Sequence, residues 1–227
     1  MREKTAKKIL KKVVEDYDNI SEEFSQTREN YFWEDFEEIA PYLKDNALFA
    51  DLGCGNGRLY KFINSKNNKI TYIGIDNNKN FLKRATDKYH ANFIYGDLIH
   101  LPLESNSVDI AAAIASIHHL PSKKLRKESL KEIHRILRNS GTFVITVWNL
   151  FKDRYKKYIW QSRLRKFYTF GKYDLRDTFI PWSKSGVKRH YYAFKPEELK
   201  RLLEESGFEI IKETANDNIL FICKKKK

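Results

Sequence analysis

From residue 47 onward, short apolar runs alternate with longer segments of helical periodicity, and this alternation limits the chain to one class of fold. The predicted strands cover residues 48–52, 71–75, 93–95, 108–114 and 142–147, and the predicted helices cover 58–64, 78–89 and 122–138. Strands joined by helices form parallel crossovers, which place helices on both faces of one sheet. The fold class is therefore α/β, with a mostly parallel sheet.

The two ends of the chain depart from this alternation. Near the N-terminus, apolar residues at helical spacing predict one helix over residues 4–17 and another over 33–43, so two helices precede the first strand. Near the C-terminus, a helix begins at Pro196 and ends before Gly207. Two apolar runs then flank a turn at residues 216–218, so we expect the final strand to lie antiparallel to its neighbour.

The chain is basic, but its charge is concentrated in three regions. Its 227 residues hold 43 Lys and Arg against 30 Asp and Glu, a net charge of +13. Residues 1–12 carry +5, residues 151–192 carry +9 and residues 224–227 carry +4, so the rest is mildly acidic, at about −5. Twelve aromatic residues also fall within 151–192. Basic and aromatic side chains together are typical of a surface that binds RNA; the alternative is a solvated segment whose aromatic rings pack inward.

Cysteine content and the lengths of the apolar runs bear on where the protein works. Only Cys54 and Cys223 occur, which is too few for a disulfide scaffold or a Cys-rich zinc site and indicates a reducing compartment. The longest apolar run, residues 110–117, is far shorter than the roughly 20 residues that span a bilayer. We therefore expect a soluble, cytoplasmic protein.

The sharpest motif is Asp51-Leu52-Gly53-Cys54-Gly55-Asn56-Gly57, between the first predicted strand and the first predicted crossover helix. Glycines at such a turn permit positive φ angles and let the backbone approach a ligand closely. The dinucleotide fingerprint spaces its glycines G-x-G-x-x-G, whereas this chain has G-x-G-x-G after an acid. The acid disfavours a bound pyrophosphate, and a bare turn that binds nothing is the alternative interpretation.

This motif resembles the first motif of the class I S-adenosylmethionine-dependent methyltransferases, and the resemblance covers about residues 47–223. It implies a Rossmann-like fold with a seven-stranded, mostly parallel sheet and an antiparallel final strand. It also implies that S-adenosyl-L-methionine is the cofactor, with the acid at the end of strand two, Asp76, on the ribose hydroxyls and Asp97 with Leu98 at the adenine. From the residues alone, Asp76 could instead cap the next helix. The cofactor-binding residues that we expect are Asp51, Gly53, Cys54, Gly55, Gly57, Asp76, Asn77, Asp97, Leu98 and Ala115.

Four segments resemble one narrower family, the tRNA methyltransferases that esterify the 5-carboxymethyl group of wobble uridine, including the domain fused to an AlkB-type hydroxylase in animals. The segments are 17–20 with Phe24-Ser25-Gln26-Thr27-Arg28, Ser116-Ile117-His118-His119, Val147-Trp148 and Arg189-His190-Tyr191-Tyr192-Ala193-Phe194. Residues 151–187 match that family poorly. An Asp/Asn-Pro-Pro-aromatic motif of the kind used to methylate exocyclic amines is absent after strand four, and neither cysteine lies in the Pro-Cys setting of a cytosine C5 methyltransferase.

The chemistry of a carboxylate acceptor suits these residues. A carboxymethyl group is ionised at pH 7, so the site needs cations and donors to hold it rather than a general base. The expected catalytic residues are Arg28, His118, His119, Arg189 and His190, with Arg28 in an N-terminal segment folded over the cofactor. An isolated arginine can equally be a solvated surface group, and the paired histidines can cap a helix or pack inside the core.

These interpretations combine into one domain of four parts. We expect an N-terminal helical cap (1–46), a cofactor-binding half (47–150), a basic aromatic lid (151–192) that contacts the tRNA anticodon loop, and a terminal helix with a hairpin (193–223). The resemblance also implies a small zinc-binding activator subunit along the third-strand edge near 92–95, although the chain's own elements could cover that edge. The alternatives are a small-molecule methyltransferase acting on a quinone or metabolite, and a non-catalytic RNA-binding protein.

Overall fold

The computed structural model describes residues 1–28, 33–182 and 185–226. Parts of the predicted cap and lid, at 29–32 and 183–184, and the last lysine of the basic tail, Lys227, lie outside the described residues. Within the described ranges, no helix has the length and apolar character required to cross a membrane.

Within the described residues, nine strands form one large sheet and one hairpin. They are β1 (Leu48–Leu52), β2 (Thr71–Asp76), β3 (Asn92–Tyr95), β4 (Val108–Ile114), β5 (Leu137–Trp148), β6 (Asp177–Pro181), β7 (Lys188–Tyr192), β8 (Phe208–Ala215) and β9 (Asn218–Lys225). Seven of them form the large sheet in the order β3-β2-β1-β4-β5-β9-β8. The pairs from β3 to β5 are parallel, and β9 is antiparallel to both of its neighbours. The predicted α/β fold with an antiparallel final strand is confirmed.

The part of the chain that the structure describes also contains six α-helices. They are α1 (Glu3–Arg28), α2 (Arg58–Lys66), α3 (Lys79–Lys88), α4 (Lys123–Ile136), α5 (Lys156–Tyr168) and α6 (Pro196–Glu205). The Asn78 and Ser122 side chains accept backbone N–H bonds at the starts of α3 and α4, as N-cap residues do. Buried apolar side chains form one core on each face of the sheet, because a parallel sheet buries both faces.

The N-terminal region differs from its prediction. Helix α1 continues eleven residues beyond the predicted end at residue 17, to Arg28, and the expected second helix over 33–43 is wrong. That segment forms two short 3-10 turns, Glu34–Phe36 and Ala40–Tyr42. Pro41 lies within the second turn and has no backbone N–H to donate, so it works against a continuous α-helix there.

The segment between β5 and α6 forms helix α5 and the antiparallel hairpin of β6 and β7. It has a small core of its own that includes Leu150, Ile159, Ile180 and Tyr191. In the hairpin, Phe179 pairs with His190 and Ile180 with Arg189. Strand β7 lies against α1, so an insertion late in the chain and the first helix together cover the carboxyl ends of the parallel strands.

Candidate active site

A single large cavity lies where β1, β2 and β4 end, beneath helix α1. Its empty space is about 1320 Å³ with its open mouth included. The cavity is lined by all the expected cofactor-binding residues except Gly57 and by all the expected catalytic residues except His190. The structure therefore brings two sets of residues, far apart in sequence, to one place.

The floor of the cavity is the turn between β1 and α2. Gly53, Gly55 and Gly57 have φ angles of +82°, +54° and +76°, a region that glycine adopts without a steric cost. A Cβ atom on Gly55 would meet nothing within 4 Å, so open space lies above this residue. Gly57 has a different role, because its hydrogens face Phe93 and Tyr89, and a Cβ there would come within 3.0 Å of both rings.

Asp76 holds this turn in place from the end of β2. One carboxylate oxygen accepts the Gly55 N–H at 2.8 Å, and the other accepts the Asn78 N–H at 2.8 Å. Burial raises the pKa of Asp76 to about 6, although these backbone donors oppose the shift. Each oxygen keeps a lone pair for a further donor, which suits two neighbouring hydroxyls of a ribose.

The glycine turn and Asp76 belong to one half of the cavity, the cofactor half. The other acids of this half differ from Asp76 in their partners. Asp51 is buried and accepts the Tyr72 hydroxyl at 2.5 Å; burial raises the pKa of Asp51 to about 7. Asp97 is partly exposed and accepts the Ile99 N–H at 3.1 Å and the Asn77 side-chain amide at 3.4 Å. Burial also raises the pKa of the Cys54 thiol well above its usual value, so that thiol stays protonated.

The two halves of the cavity meet where the glycine turn touches the loop after β4. A Cβ on Gly53 would lie 2.5 Å from the Ser116 Cβ, so only glycine permits this approach. Ala115, next to Ser116, has a φ of +51°, which is strained for a residue with a side chain. The Ala115 N–H holds that conformation by donating to the Thr146 carbonyl and hydroxyl.

The cofactor half fits an S-adenosylmethionine molecule. It offers an open glycine turn, a carboxylate with spare lone pairs at the ribose position and the apolar surface of Ile75 and Leu98 for a base. Several buried polar atoms of the described residues have no hydrogen bond, and most of them lie around this cavity. They include Asn78 Nδ2, Ser116 Oγ, His118 Nε2, Trp182 Nε1 and Arg189 Nε. Buried polar atoms of this kind are candidates for contacts with a ligand or a bound water.

The other half of the cavity, the acceptor half, is built around Arg189. Its side chain is 3% exposed, and its guanidinium carbon lies 4.7 Å from the ring centroid of Trp182 and 5.2 Å from that of Tyr191. Tyr17 and Trp148 complete the enclosure, each with its ring centroid 5.6 Å away. Burial acts against the charge, but the Tyr17 and Tyr191 hydroxyls outweigh it and raise the pKa of Arg189, so the site holds a permanent cation inside an aromatic wall.

Two neutral histidines lie beside this cation. His118 lines the cavity and accepts the Trp148 backbone N–H on Nδ1 at 3.2 Å, so its proton is on Nε2, which is buried and has no hydrogen bond among the described residues. His119 Nδ1 lies 2.6 Å from the His190 carbonyl, to which it donates, and Nε2 accepts the Tyr17 hydroxyl at 2.9 Å. Burial lowers the pKa of His119 to about 3 and that of His118 well below its usual value, with the Arg189 charge adding to both shifts.

His190 does not reach the cavity. Successive residues of a strand point to opposite faces, so Arg189 and Tyr191 face the cavity while His190 faces the other way. Its Nε2 lies 2.9 Å from the carboxylate of the fully buried Asp177, and its backbone carbonyl accepts from His119. The expectation that His190 contacts a substrate is wrong; the residue supports His119 from behind.

Helix α1 supplies the wall above both halves. Leu10, Val13, Val14, Tyr17, Phe24 and Arg28 line the cavity along one stripe of the helix. The Arg28 guanidinium carbon lies 5.5 Å from the Trp182 ring centroid, so Arg28 stands at the acceptor half. We did not expect Tyr17, Trp148, Trp182 and Tyr191 as site residues. A two-residue alternation in β7 would have placed Tyr191 with Arg189, but no sequence signal marks Trp182.

The comparisons with known proteins agree with this geometry. Residues 50–145 match a family model described as a methyltransferase domain. The chain is 30% identical over 186 residues to the tRNA (carboxymethyluridine(34)-5-O)-methyltransferase of Schizosaccharomyces pombe, a match that covers 81% of this chain and 72% of that protein. It is 31% identical over 150 residues to the enzyme of the same name from Xenopus tropicalis, covering 65% of this chain but only 23% of that longer protein.

Solved structures share the fold at lower identity. A SAM-dependent methyltransferase from Methanosarcina mazei superposes with a TM-score of 0.70 at 21% identity, covering 83% of this chain and 97% of that one. A chain from the complex between the Haloferax volcanii Trm112 methyltransferase activator and a methyltransferase gives a TM-score of 0.68 at 15% identity, covering 93% of this chain and 98% of that one. At these identities, both similarities concern the fold alone.

Proposed function

Because the chain belongs to the family of S-adenosylmethionine-dependent methyltransferases that includes the tRNA (carboxymethyluridine(34)-5-O)-methyltransferase of Schizosaccharomyces pombe, we propose that it methylates a tRNA carboxylate. The acceptor is the carboxylate of a 5-carboxymethyl-type uridine at the wobble position. The observation that carries this proposal is the buried, aromatic-walled cation of Arg189.

A buried guanidinium is costly unless an anion or several acceptors compensate its charge. Around Arg189, the residues described by the structure supply four aromatic rings and the Tyr17 hydroxyl, which accepts from Nη1 at 3.3 Å. Its Nε, buried as well, has no hydrogen bond. A carboxylate that enters the cavity would compensate the charge and satisfy this donor, whereas a quinone or a neutral metabolite could satisfy the donor but would leave the charge uncompensated.

The reaction requires little from the protein beyond alignment of the cofactor with the acceptor. S-adenosylmethionine supplies an activated methyl group for an in-line displacement. The acceptor carboxylate is already ionised at pH 7, so neutral His118 and His119 need not act as bases. His118 Nε2 is available to donate to one carboxylate oxygen while Arg189 binds the other, and the aromatic rings exclude water from the reacting pair.

The same interaction favours release of the product. Methylation converts the carboxylate into a neutral ester, which keeps hydrogen-bond acceptors but loses the charge that Arg189 attracts. The site therefore binds the ionised substrate more tightly than the ester, and product inhibition is expected to be weak.

The direct test is to incubate the purified protein with methyl-labelled cofactor and total tRNA, digest the RNA to nucleosides and identify the labelled one. We expect label in the methyl ester of a 5-carboxymethyl-type uridine, and mild alkaline hydrolysis should remove it. Label confined to small metabolites, or alkali-stable label on a base, would contradict the proposal. Mild alkaline treatment of the tRNA before the reaction should increase the amount of label incorporated. Saponification converts methyl esters that the tRNA already carries back into carboxylate acceptors.

The sheet edge at β3 is the proposed docking site for an activator subunit. Among the described strands, β3 pairs with β2 alone, and Tyr95 at its end is 57% exposed. An activator that adds a strand would pair with this edge, and the structural neighbour from Haloferax volcanii was solved with an activator. Hydrogen exchange of residues 92–95 should slow when a small activator protein is added. Binding without protection at these residues would contradict this docking site.

A further inference from the structure

A second, strongly basic groove lies outside the methyl-transfer cavity. The N-terminal end of the chain and the loop after α5 form its sides, with Lys4 and Lys8 on α1, Arg2 just before it and Lys172 on the loop. Phe170 and two threonines complete the lining. Four cationic side chains from two distant parts of the sequence therefore converge on one groove, which makes it a site for an anion or a chain of anions.

One exposed aromatic ring, that of Phe170, lines this groove, and three more lie on the segment that leads to it. Trp160, Phe167, Tyr168 and Phe170 are 63%, 86%, 77% and 98% exposed, and they lie within the twelve residues that precede Lys172. Residues 156–173 carry six basic side chains and no acidic one. Most large apolar side chains of a folded protein avoid such exposure, and four of them on one basic segment indicate a surface that binds a partner with flat, stacking groups.

The acidic side chains near the groove are already paired with other groups. Glu3 is 3.0 Å from Lys7, and Asp174 is 3.3 Å from the N-terminal amine. Neither carboxylate therefore neutralises the four cations that line the groove. This combination of fixed positive charge and exposed rings matches an RNA strand, whose phosphates contact the cations while unstacked bases lie on the rings.

We propose that this groove binds the tRNA strand several nucleotides away from the one that is methylated. This inference rests on the proposed function and adds the place where the RNA backbone is held. Helix α1 connects the two sites, because Tyr17 lines the methyl-transfer cavity and Lys8 lines the groove. Nine helical residues rise about 14 Å along the helix axis, the length of about four stacked nucleotides, and the two side chains leave opposite sides of the helix. The groove therefore contacts nucleotides at least about four positions from the target uridine.

The test compares a groove variant with a matched control. Lys8→Ala/Lys172→Ala/Phe170→Ala removes two cations and the most exposed ring, while Lys131→Ala/Lys226→Ala removes two exposed lysines outside the groove. The substrates are an anticodon stem-loop carrying 5-carboxymethyluridine and a trinucleotide centred on that residue. We expect the groove variant to raise KM for the stem-loop at least tenfold, with kcat and the trinucleotide KM unchanged. The control should match the wild-type protein on both substrates.

Direct binding separates this inference from the proposed function. In fluorescence anisotropy with the labelled stem-loop, the groove variant should lower the slope of log affinity against log salt by roughly one to two, because two phosphate contacts are lost. That result supports the groove even if no methyl transfer is detected. Three results would each overturn the inference. The variant and the wild type could bind the stem-loop with equal affinity, or the variant could lose as much affinity for the trinucleotide as for the stem-loop. In a parallel assay with phosphatidylserine vesicles, the variant could lose affinity for the vesicles alone.

Discussion

The two halves of the methyl-transfer cavity have opposite charge and opposite construction. The cofactor half contains Asp51, Asp76 and Asp97, all near the ends of neighbouring strands. The acceptor half contains Arg28, Arg189 and two neutral histidines, enclosed by rings from α1, β5 and the insertion. A sulfonium cofactor is cationic and a carboxylate acceptor is anionic, so each half has the charge opposite to that of the group we expect it to hold.

This difference also separates binding from specificity. In the proposed reaction, the carboxylates of the cofactor half would recognise the cofactor itself, which all reactions of this family share. The buried cation of the acceptor half would select an ionised acceptor. Changes in the acceptor half should therefore affect turnover without affecting cofactor affinity, and changes in the cofactor half should do the reverse.

The largest effect is expected for Arg189→Met. The substitution keeps much of the side-chain volume inside the aromatic enclosure but removes the cation that we expect to pair with the acceptor carboxylate. Losing one partner of a buried ion pair costs about 3–5 kcal/mol, so kcat/KM for 5-carboxymethyluridine RNA should fall by about 10² to 10³ or more. Cofactor affinity measured by calorimetry should stay within about twofold of the wild type.

Arg138→Met is the matched control, because Arg138 is exposed and pairs with Asp109 on the surface. It should leave both parameters near their wild-type values. Unchanged turnover in Arg189→Met would remove the basis for the carboxylate acceptor. A parallel loss of cofactor affinity would show instead that the two halves are not independent.

The next effect concerns the contact between the halves. Gly53→Ala places a Cβ at a φ of +82° and 2.5 Å from the Ser116 Cβ, so the free energy of unfolding should fall by about 2–3 kcal/mol. Gly55→Ala is the control, because it has a similar positive φ and nothing within 4 Å, and it should cost about 1 kcal/mol. Urea denaturation measures both. Equal losses would mean that Ser116 is free to move away.

A smaller effect is expected for Asp76→Asn, together with a change in pH dependence. Removing the ionised acceptor should weaken cofactor binding by about 1.5–3 kcal/mol. Burial raises the pKa of Asp76 to about 6, so the carboxylate gains a proton as the pH falls through that value. Ribose hydroxyls donate to the ionised form, and wild-type affinity should therefore drop below about pH 6. Calorimetry from pH 5 to 8 should show this drop in the wild type and a flatter profile in Asp76→Asn.

The two halves also differ in how far the sequence predicts them. The acids and glycines of the cofactor half follow apolar runs, and the carboxyl ends of parallel strands share one edge of a sheet, so their convergence could be predicted. Gly57 is the exception, because its contact with Tyr89 and Phe93 depends on how α3 and β3 pack against the turn. Nothing in the local sequence around Gly57 predicts that packing.

The acceptor half was harder to predict because it depends on tertiary packing of distant segments. Residue types alone favoured treating Arg189 and His190 as a pair, although the alternation of a strand puts them on opposite faces. Trp182 reaches the cavity only because the β6–β7 hairpin folds back under α1, a placement without a local signal. Pro41 shows the opposite case, since its missing N–H could have argued against the second helix that the apolar spacing suggested.

The smallest effect, and the sharpest probe of how α1 joins the acceptor half, is expected for Tyr17→Phe. The Tyr17 hydroxyl donates to His119 Nε2 at 2.9 Å and accepts from Arg189 Nη1 at 3.3 Å. Removing it keeps the ring that packs on Phe24 and Phe81 but loses one hydrogen bond on each partner, at about 1 kcal/mol. We expect kcat to fall about tenfold or less, with cofactor affinity unchanged and stability nearly so.

The pH profile of kcat distinguishes a role of the Tyr17 hydroxyl in positioning His119 from a general loss of activity. Without its hydroxyl partner, His119 loses a donor to its neutral form, so its pKa should rise from about 3, and activity in Tyr17→Phe should be lost at a higher pH than in the wild type. Tyr42→Phe, on a 3-10 turn outside the cavity, should leave the profile unchanged. If the Tyr17→Phe profile coincides with that of the wild type, helix α1 closes the cavity through its apolar stripe alone, and the link between the first helix and the acceptor cation is packing rather than hydrogen bonding.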